Sequence, residues 1–126
     1  MTLHPQTEAV KAIIEAKRGA TGGGLTLPGA KGVTLYKVMG KMFAILNTHH
    51  LQSVNLKCDP HLVDVLKQQY AGVGHRGHLD RRFWICVTLD SDVPPREVER
   101  LIGHSYDLVR ASLTKKQKAE LEALEA

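Results

Sequence analysis

Two β-prone runs, Val33–Met39 and Met42–Thr48, are separated by only two residues, and that spacing dictates a hairpin. The connector Gly40-Lys41 puts glycine first, which suits the φ > 0 opening position of a type II′ turn. Such a turn sets Met39 against Met42, Val38 against Phe43, Lys37 against Ala44 and Tyr36 against Ile45. Tyr36, Val38, Phe43 and Ile45 then share one face, and Leu35, Lys37, Met39, Met42 and Leu46 the other. The first face carries no charge and is the expected core side.

The neighbouring segments extend this unit. Pro5 to Lys17 reads as an amphipathic helix with Val10, Ile13 and Ile14 on one side, closed by Arg18-Gly19. Thr21-Gly22-Gly23-Gly24 reads as a connector, Leu25–Leu27 as a short extended piece and Pro28-Gly29 as a turn. Asn47-Thr48-His49-His50 is the next turn. Ser53–Cys58 is a third strand, with Val54 and Leu56 inward and Ser53, Asn55 and Lys57 outward. Asp59 caps a helix opened by Pro60 that runs to Tyr70 and buries Leu62, Val65, Leu66 and Tyr70.

Ala71–Asp80 reads as a loop, and Arg81–Leu89 as a fourth strand with Phe83, Ile85 and Val87 on one side and Arg82, Trp84 and Cys86 on the other. Pro94-Pro95 opens a last helix striped by Val98, Leu101, Ile102, Ser105, Leu108, Val109 and Leu113. Thr114–Ala126 is a charged tail or a helical extension. Consecutive antiparallel strands with helices on one face make an α+β sandwich of two layers. The 126 residues fit a single domain spanning 1–126.

Charge is distributed unevenly. The net charge is +4, yet from Ala16 through Cys58 there is no Asp or Glu, while Lys17, Arg18, Lys31, Lys37, Lys41 and Lys57 fall in that stretch. A one-sided field of this kind attracts polyanions. No apolar run approaches the roughly 20 residues that cross a bilayer, and Met1-Thr2-Leu3-His4-Pro5 is not the start of a signal peptide. A cytoplasmic location without membrane association is therefore expected, with Cys58 and Cys86 as free thiols.

The segments Tyr36-Lys37-Val38-Met39-Gly40-Lys41-Met42-Phe43-Ala44 and Val54-Asn55-Leu56-Lys57-Cys58 resemble the MmcQ/YjbR family. So do Tyr70-Ala71-Gly72-Val73, the Trp84 strand with Val87, Leu89 and Asp90, and Ser105-Tyr106-Asp107-Leu108-Val109. These pieces keep the family's order from about Leu27 to Leu113. The resemblance implies small bacterial proteins with a "double wing" α+β fold and a DNA-binding role. Ala30-Lys31-Gly32-Val33 and Gly74-His75-Arg76-Gly77-His78 depart from the family pattern, and no catalytic residue carries over.

Other chemistries lack their parts. The seven histidines include His49-His50 and His75/His78, but a zinc site needs three or four converging ligands, and the sequence supplies no such set. Gly40-Lys41 is followed by Met42 and lacks the phosphate-loop spacing. Ser105 and Tyr106 sit on a core-facing helical stripe, flanked by His104 and Asp107, where their hydroxyls serve backbone groups better than catalysis.

The expected function is a non-enzymatic DNA-binding protein with no cofactor or metal. Its phosphate contacts would come from Lys37, Lys41, Lys57, Arg76, Arg81 and Arg82, and Trp84 would stack on an unpaired base. The competing reading is a protein-interaction or homodimerisation module that uses Leu35, Met39, Met42, Leu46 and Trp84 as an apolar contact.

Overall fold

The hairpin forms, with its turn moved by one residue. The computed structural model describes residues 4–24, 32–49 and 52–124. Strand β2 (Val33–Val38) and strand β3 (Lys41–Asn47) are joined by Met39-Gly40. Both loop residues have positive φ, 50° at Met39 and 80° at Gly40, which defines a type I′ turn in place of the expected type II′. Tyr36 pairs with Ala44 and Lys37 with Met42, so Phe43 is the extra residue of a β-bulge. The bulge reverses the alternation: Phe43 and Ala44 are both buried, Leu46 turns inward, and Ile45 lies on the outer face. The expected positions of Ile45 and Leu46 are thus exchanged.

Helix α1 (Pro5–Glu15) precedes strand β1 (Ala20–Gly24). The glycine run expected to be a connector is therefore a strand, paired with β2 along Ala20–Gly24. The buried Tyr36 ring explains the glycine. It lies across Gly22, where a Cβ would come 2.6 Å from Tyr36 Cε1. A strand of low intrinsic β preference forms because its partner's side chain occupies the space a side chain of its own would need. The expected extended piece Leu25–Leu27, the Pro28-Gly29 turn and His50 lie outside the described residues.

Strand β4 (Ser53–Lys57) leads into helix α2 (Pro60–Gln69). Asp59 accepts from the His61 amide at 2.9 Å and Pro60 opens the first turn, as expected. The helix buries Val63 and Leu66, whereas Val65 is 54% exposed. The expected loop contains strand β5 (Val73–Gly74), and strand β6 spans only Trp84–Thr88. Asp80 shortens β6: its backbone carbonyl accepts from the Phe83 and Trp84 amides, holding residues 80–83 in a turn. Helix α3 (Pro95–Ala111) follows, then helix α4 (Lys115–Ala123). Thr114 and Gln117 form a reciprocal capping box that starts α4, and Leu121 is fully buried.

The six strands run in the order β1-β2-β3-β4-β6-β5, every neighbouring pair antiparallel. One hydrophobic cluster joins Tyr36, Val38, Phe43, Ala44, Leu46, Val54, Leu56, Ile85 and Val87 of the sheet to Val10, Ile14, Val63, Leu66, Leu101, Ile102, Tyr106, Val109 and Leu121 of the helices. Phe43 meets Tyr106 edge to face at 5.5 Å between ring centres. The fold is the expected α+β sandwich, with its helices on one face of the sheet.

Candidate nucleic-acid interface

The face turned away from the helices follows from the register. Leu35, Ile45, Asn55, Cys86 and Gly74 form one row across five strands. Towards the end of the sheet that carries the Met39-Gly40 turn, Lys37 pairs with Met42 and Lys57 with Trp84. Side chains on directly paired residues share a face. Lys37 is exposed, and Lys57, Trp84, Leu35, Met42 and Ile45 are half-buried. Among the described residues, Leu35, Met42, Ile45 and Trp84 stand outside the helix-side core. None of the six strands contains an Asp or Glu.

Helix α3 holds this face in place from behind. The Ser105 hydroxyl accepts from the Lys57 amide at 2.9 Å and donates to the Phe43 carbonyl at 2.6 Å. The next residue pair in the β3–β4 ladder is thus joined through a helix side chain. His104 Nε2 accepts from the Asp59 amide at 3.2 Å, so two consecutive residues of α3 fix the backbone around Lys57. This agrees with the structural role expected for Ser105.

The seven residues expected to contact DNA divide into groups. Lys37, Lys57 and Trp84 share the open face. Arg76, in the loop after β5, is exposed and borders it. Arg76 lines an open hollow of about 350 Å³ with Gly74, His75, Cys86 and Thr88. Burial raises the Cys86 thiol pKa, while a hydrogen bond with Ser53 and the Arg76 charge pull it back down.

Lys41 turns to the helix layer. It is the pairing partner of buried Val38, and its Nζ donates to the Ser112 carbonyl at 3.1 Å, closing the C-terminus of α3. Arg81 and Arg82 line a separate hollow of about 300 Å³ beside α2, with Pro60, Val63, Asp64, Lys67 and Phe83. Arg82 donates to both carboxylate oxygens of Asp80, and its guanidinium lies 5.2 Å from the Phe83 ring centre. The Arg82 hydrogen bonds hold the Asp80 carboxyl well down, at about 2.

A larger hollow of about 510 Å³, lined in part by Lys17, Arg18, Tyr106 and Arg110, lies on the helix side. Both of its arginines pair with Glu122 of α4. Among the described residues, no three His, Cys, Asp or Glu side chains converge as a metal site, and no helix is long and apolar enough to cross a membrane.

Ile45 lies on the face opposite the one strand alternation predicts, because nothing local to Met42–Ala44 announces the bulge. Phe83, expected on one side of the strand with Ile85 and Val87, lies in the turn before β6 and is exposed.

Fold and face together define a class: small α+β proteins with an antiparallel sheet whose described helices pack on one side. The YjbR family profile matches residues 25–108, and the chain belongs to that family. It is 32% identical over 74 residues to the Escherichia coli protein described as "Uncharacterized protein YjbR", a match spanning 58% of this chain and 63% of that one. The crystal structure of Deinococcus radiodurans protein DR2400, which carries a DUF419 domain, superposes with a TM-score of 0.80 at 25% identity, covering 96% of this chain and 92% of that one. A Pseudomonas syringae protein shares the fold, with a TM-score of 0.65 at 19% identity over 78% of this chain and 96% of that one.

Proposed function

We propose that this chain is a non-enzymatic, cytoplasmic DNA-binding protein that rests the open sheet face on phosphates. The observation that carries the reading is a sheet whose strands hold no carboxylate and whose face away from the helices holds Lys37 and Lys57 with Arg76 at its border. Lys37 and Lys57 lie on strands two apart, so their backbones are separated by roughly 10 Å. A polyanion meets several cations there and no repelling charge from the strands.

The competing apolar-contact reading loses two of its five residues. Leu46 is buried under the helices and Met39 packs against the core. Non-enzymatic action is supported by the hydrogen bonding of Ser105, whose hydroxyl is committed to Phe43 and Lys57.

The test is a salt titration of binding to a short duplex. Three phosphate contacts give a slope of about −2.7 in log affinity against log salt, or about a 40-fold loss between 50 and 200 mM. Charge reversal at Lys37 and Lys57 (Lys37→Glu, Lys57→Glu) should abolish most of this binding. Absence of binding at low salt to the duplex and to a single DNA strand of the same length alike, or unchanged binding by both variants, overturns the proposal.

A further inference from the structure

We infer that the nucleic acid this face accepts is an unpaired strand, with bases laid on the sheet beside Trp84. The inference rests on the proposed phosphate-binding role of the face and names its substrate class.

Shape supplies the first argument. Six strands span five gaps of about 4.8 Å, so the face is about 24 Å across. The major groove of a duplex is about 12 Å wide and admits a helix or a two-stranded ribbon. A broad sheet does not fit the major groove of an undeformed duplex and meets chiefly its phosphate ridges.

The composition of the face supplies the second. Between the cations lie Leu35, Met42, Ile45 and Asn55, with Trp84 directly paired to Lys57. These half-buried side chains gain little from a phosphate ridge. They suit the flat faces of unpaired bases, which stack on aromatic and apolar surface and expose hydrogen-bonding edges to a group such as the Asn55 amide. Lys37 and Lys57, on strands two apart, and Arg76 at the border of the face offer cations to the backbone of that strand.

Charge complementarity picks a polynucleotide over an apolar protein partner. The strands carry no carboxylate, and Lys57 stands at the end of β4 beside Trp84, where a dry contact would strand its ammonium.

Trp84 is the only tryptophan in the chain, so its emission reports on this face alone. The experiment titrates the full chain with oligo(dT), oligo(rU) and a duplex of equal length at one salt concentration. The expected result is quenching of Trp84 by the single strands and affinity for them roughly tenfold above that for the duplex. Trp84→Leu should weaken single-strand binding by about 5- to 100-fold and leave duplex binding within twofold. The oligo(dT) and oligo(rU) arms distinguish DNA from RNA as the source of the strand.

Duplex binding equal to or tighter than single-strand binding overturns this inference while the proposed function stands. So does saturation by oligo(dT) with unchanged emission, a measurement on the unmodified protein that does not depend on the variant folding. Failure of all three ligands to bind overturns both readings.

Discussion

The hydroxyl of Ser105 donates to the backbone carbonyl of Phe43 across 2.6 Å at a position with no exposure to solvent. The same oxygen accepts from the Lys57 amide. A helix side chain therefore stands in for a ladder hydrogen bond next to the Phe43 bulge. It ties the helix layer to β3 and to β4, the strand that carries Lys57.

Ser105→Ala should leave a buried carbonyl and a buried amide without partners. Each unsatisfied group costs about 1–3 kcal/mol, so a loss of about 2–4 kcal/mol is expected in urea unfolding. A loss below 1 kcal/mol would show that β3 and β4 close up and pair directly.

This relationship marks the limit of what the sequence reveals. The Asp59-Pro60 cap, the Pro95 helix start and the inward pair Val54 and Leu56 were legible because each depends on its own few residues. The hairpin was legible too, but the faces of β3 beyond the Phe43 bulge were not. The bulge is held by Ser105, 62 residues away, and no local periodicity encodes it. The register of Ile45 and Leu46 was therefore read one step out. Strand β1 was missed for a related reason: its glycines look like a linker until Tyr36 is seen to fill the space above Gly22. At the site, Lys37, Lys57 and Trp84 were legible from strand phase. The turn of Lys41 towards Ser112 depends on where α3 ends in space.

Gly22 and Gly23 make a paired test of that strand. A Cβ at Gly22 would sit 2.6 Å and 2.9 Å from ring atoms of Tyr36, whose hydroxyl is anchored to Glu15 at 2.8 Å. A Cβ at Gly23 meets nothing within 4 Å. Gly22→Ala should destabilise by about 1–3 kcal/mol through overpacking. Gly23→Ala should be neutral or stabilising by about 0.5 kcal/mol through lost unfolded-state entropy. Chemical denaturation of the two variants side by side checks the contrast.

The two thiols should be slow to react and should differ from each other. Burial, then the charge of Asp59, pushes the Cys58 thiol up to about 11. Burial also raises Cys86, against the opposing Ser53 hydrogen bond and Arg76 charge. Reaction requires the thiolate, so a disulfide reagent at pH 8 should label Cys86 before Cys58 and both far more slowly than in urea. The Cys58 proton is held more tightly in the folded state than in the unfolded chain. Stability from this group is therefore complete below about pH 9 and lost as pH rises towards about 11. Cys58→Ala should flatten that alkaline decline.

The Asp80–Arg82 pair governs the acid side of the turn before β6. The hydrogen bonds from Arg82 lower the Asp80 carboxyl from its ordinary value to about 2. A depressed carboxyl contributes stability that is present above the unfolded value near 4 and is lost as pH falls through about 2. Carboxyl-detected NMR should find Asp80 titrating near 2. In Arg82→Gln it should return towards the ordinary range, and the turn should loosen at higher pH, seen as faster exchange of the backbone amide at position 82. Titration of Asp80 near 4 in the unmodified protein would contradict the bidentate geometry.

Lys37 and Lys41 are four residues apart, and their neutral variants should behave oppositely. Lys37 is exposed on the open face, opposite Met42. Lys37→Gln should lower the salt slope of nucleic-acid binding by about one and leave the unfolding midpoint unchanged. Lys41 donates to the Ser112 carbonyl at the end of α3, where a cation opposes the negative end of the helix dipole. Lys41→Gln should cost about 0.5–1 kcal/mol of stability and leave the salt slope intact. Equal slope changes from the two variants would mean that the ligand reaches around the hairpin tip to the helix side, and the open face would then not be the surface that selects it.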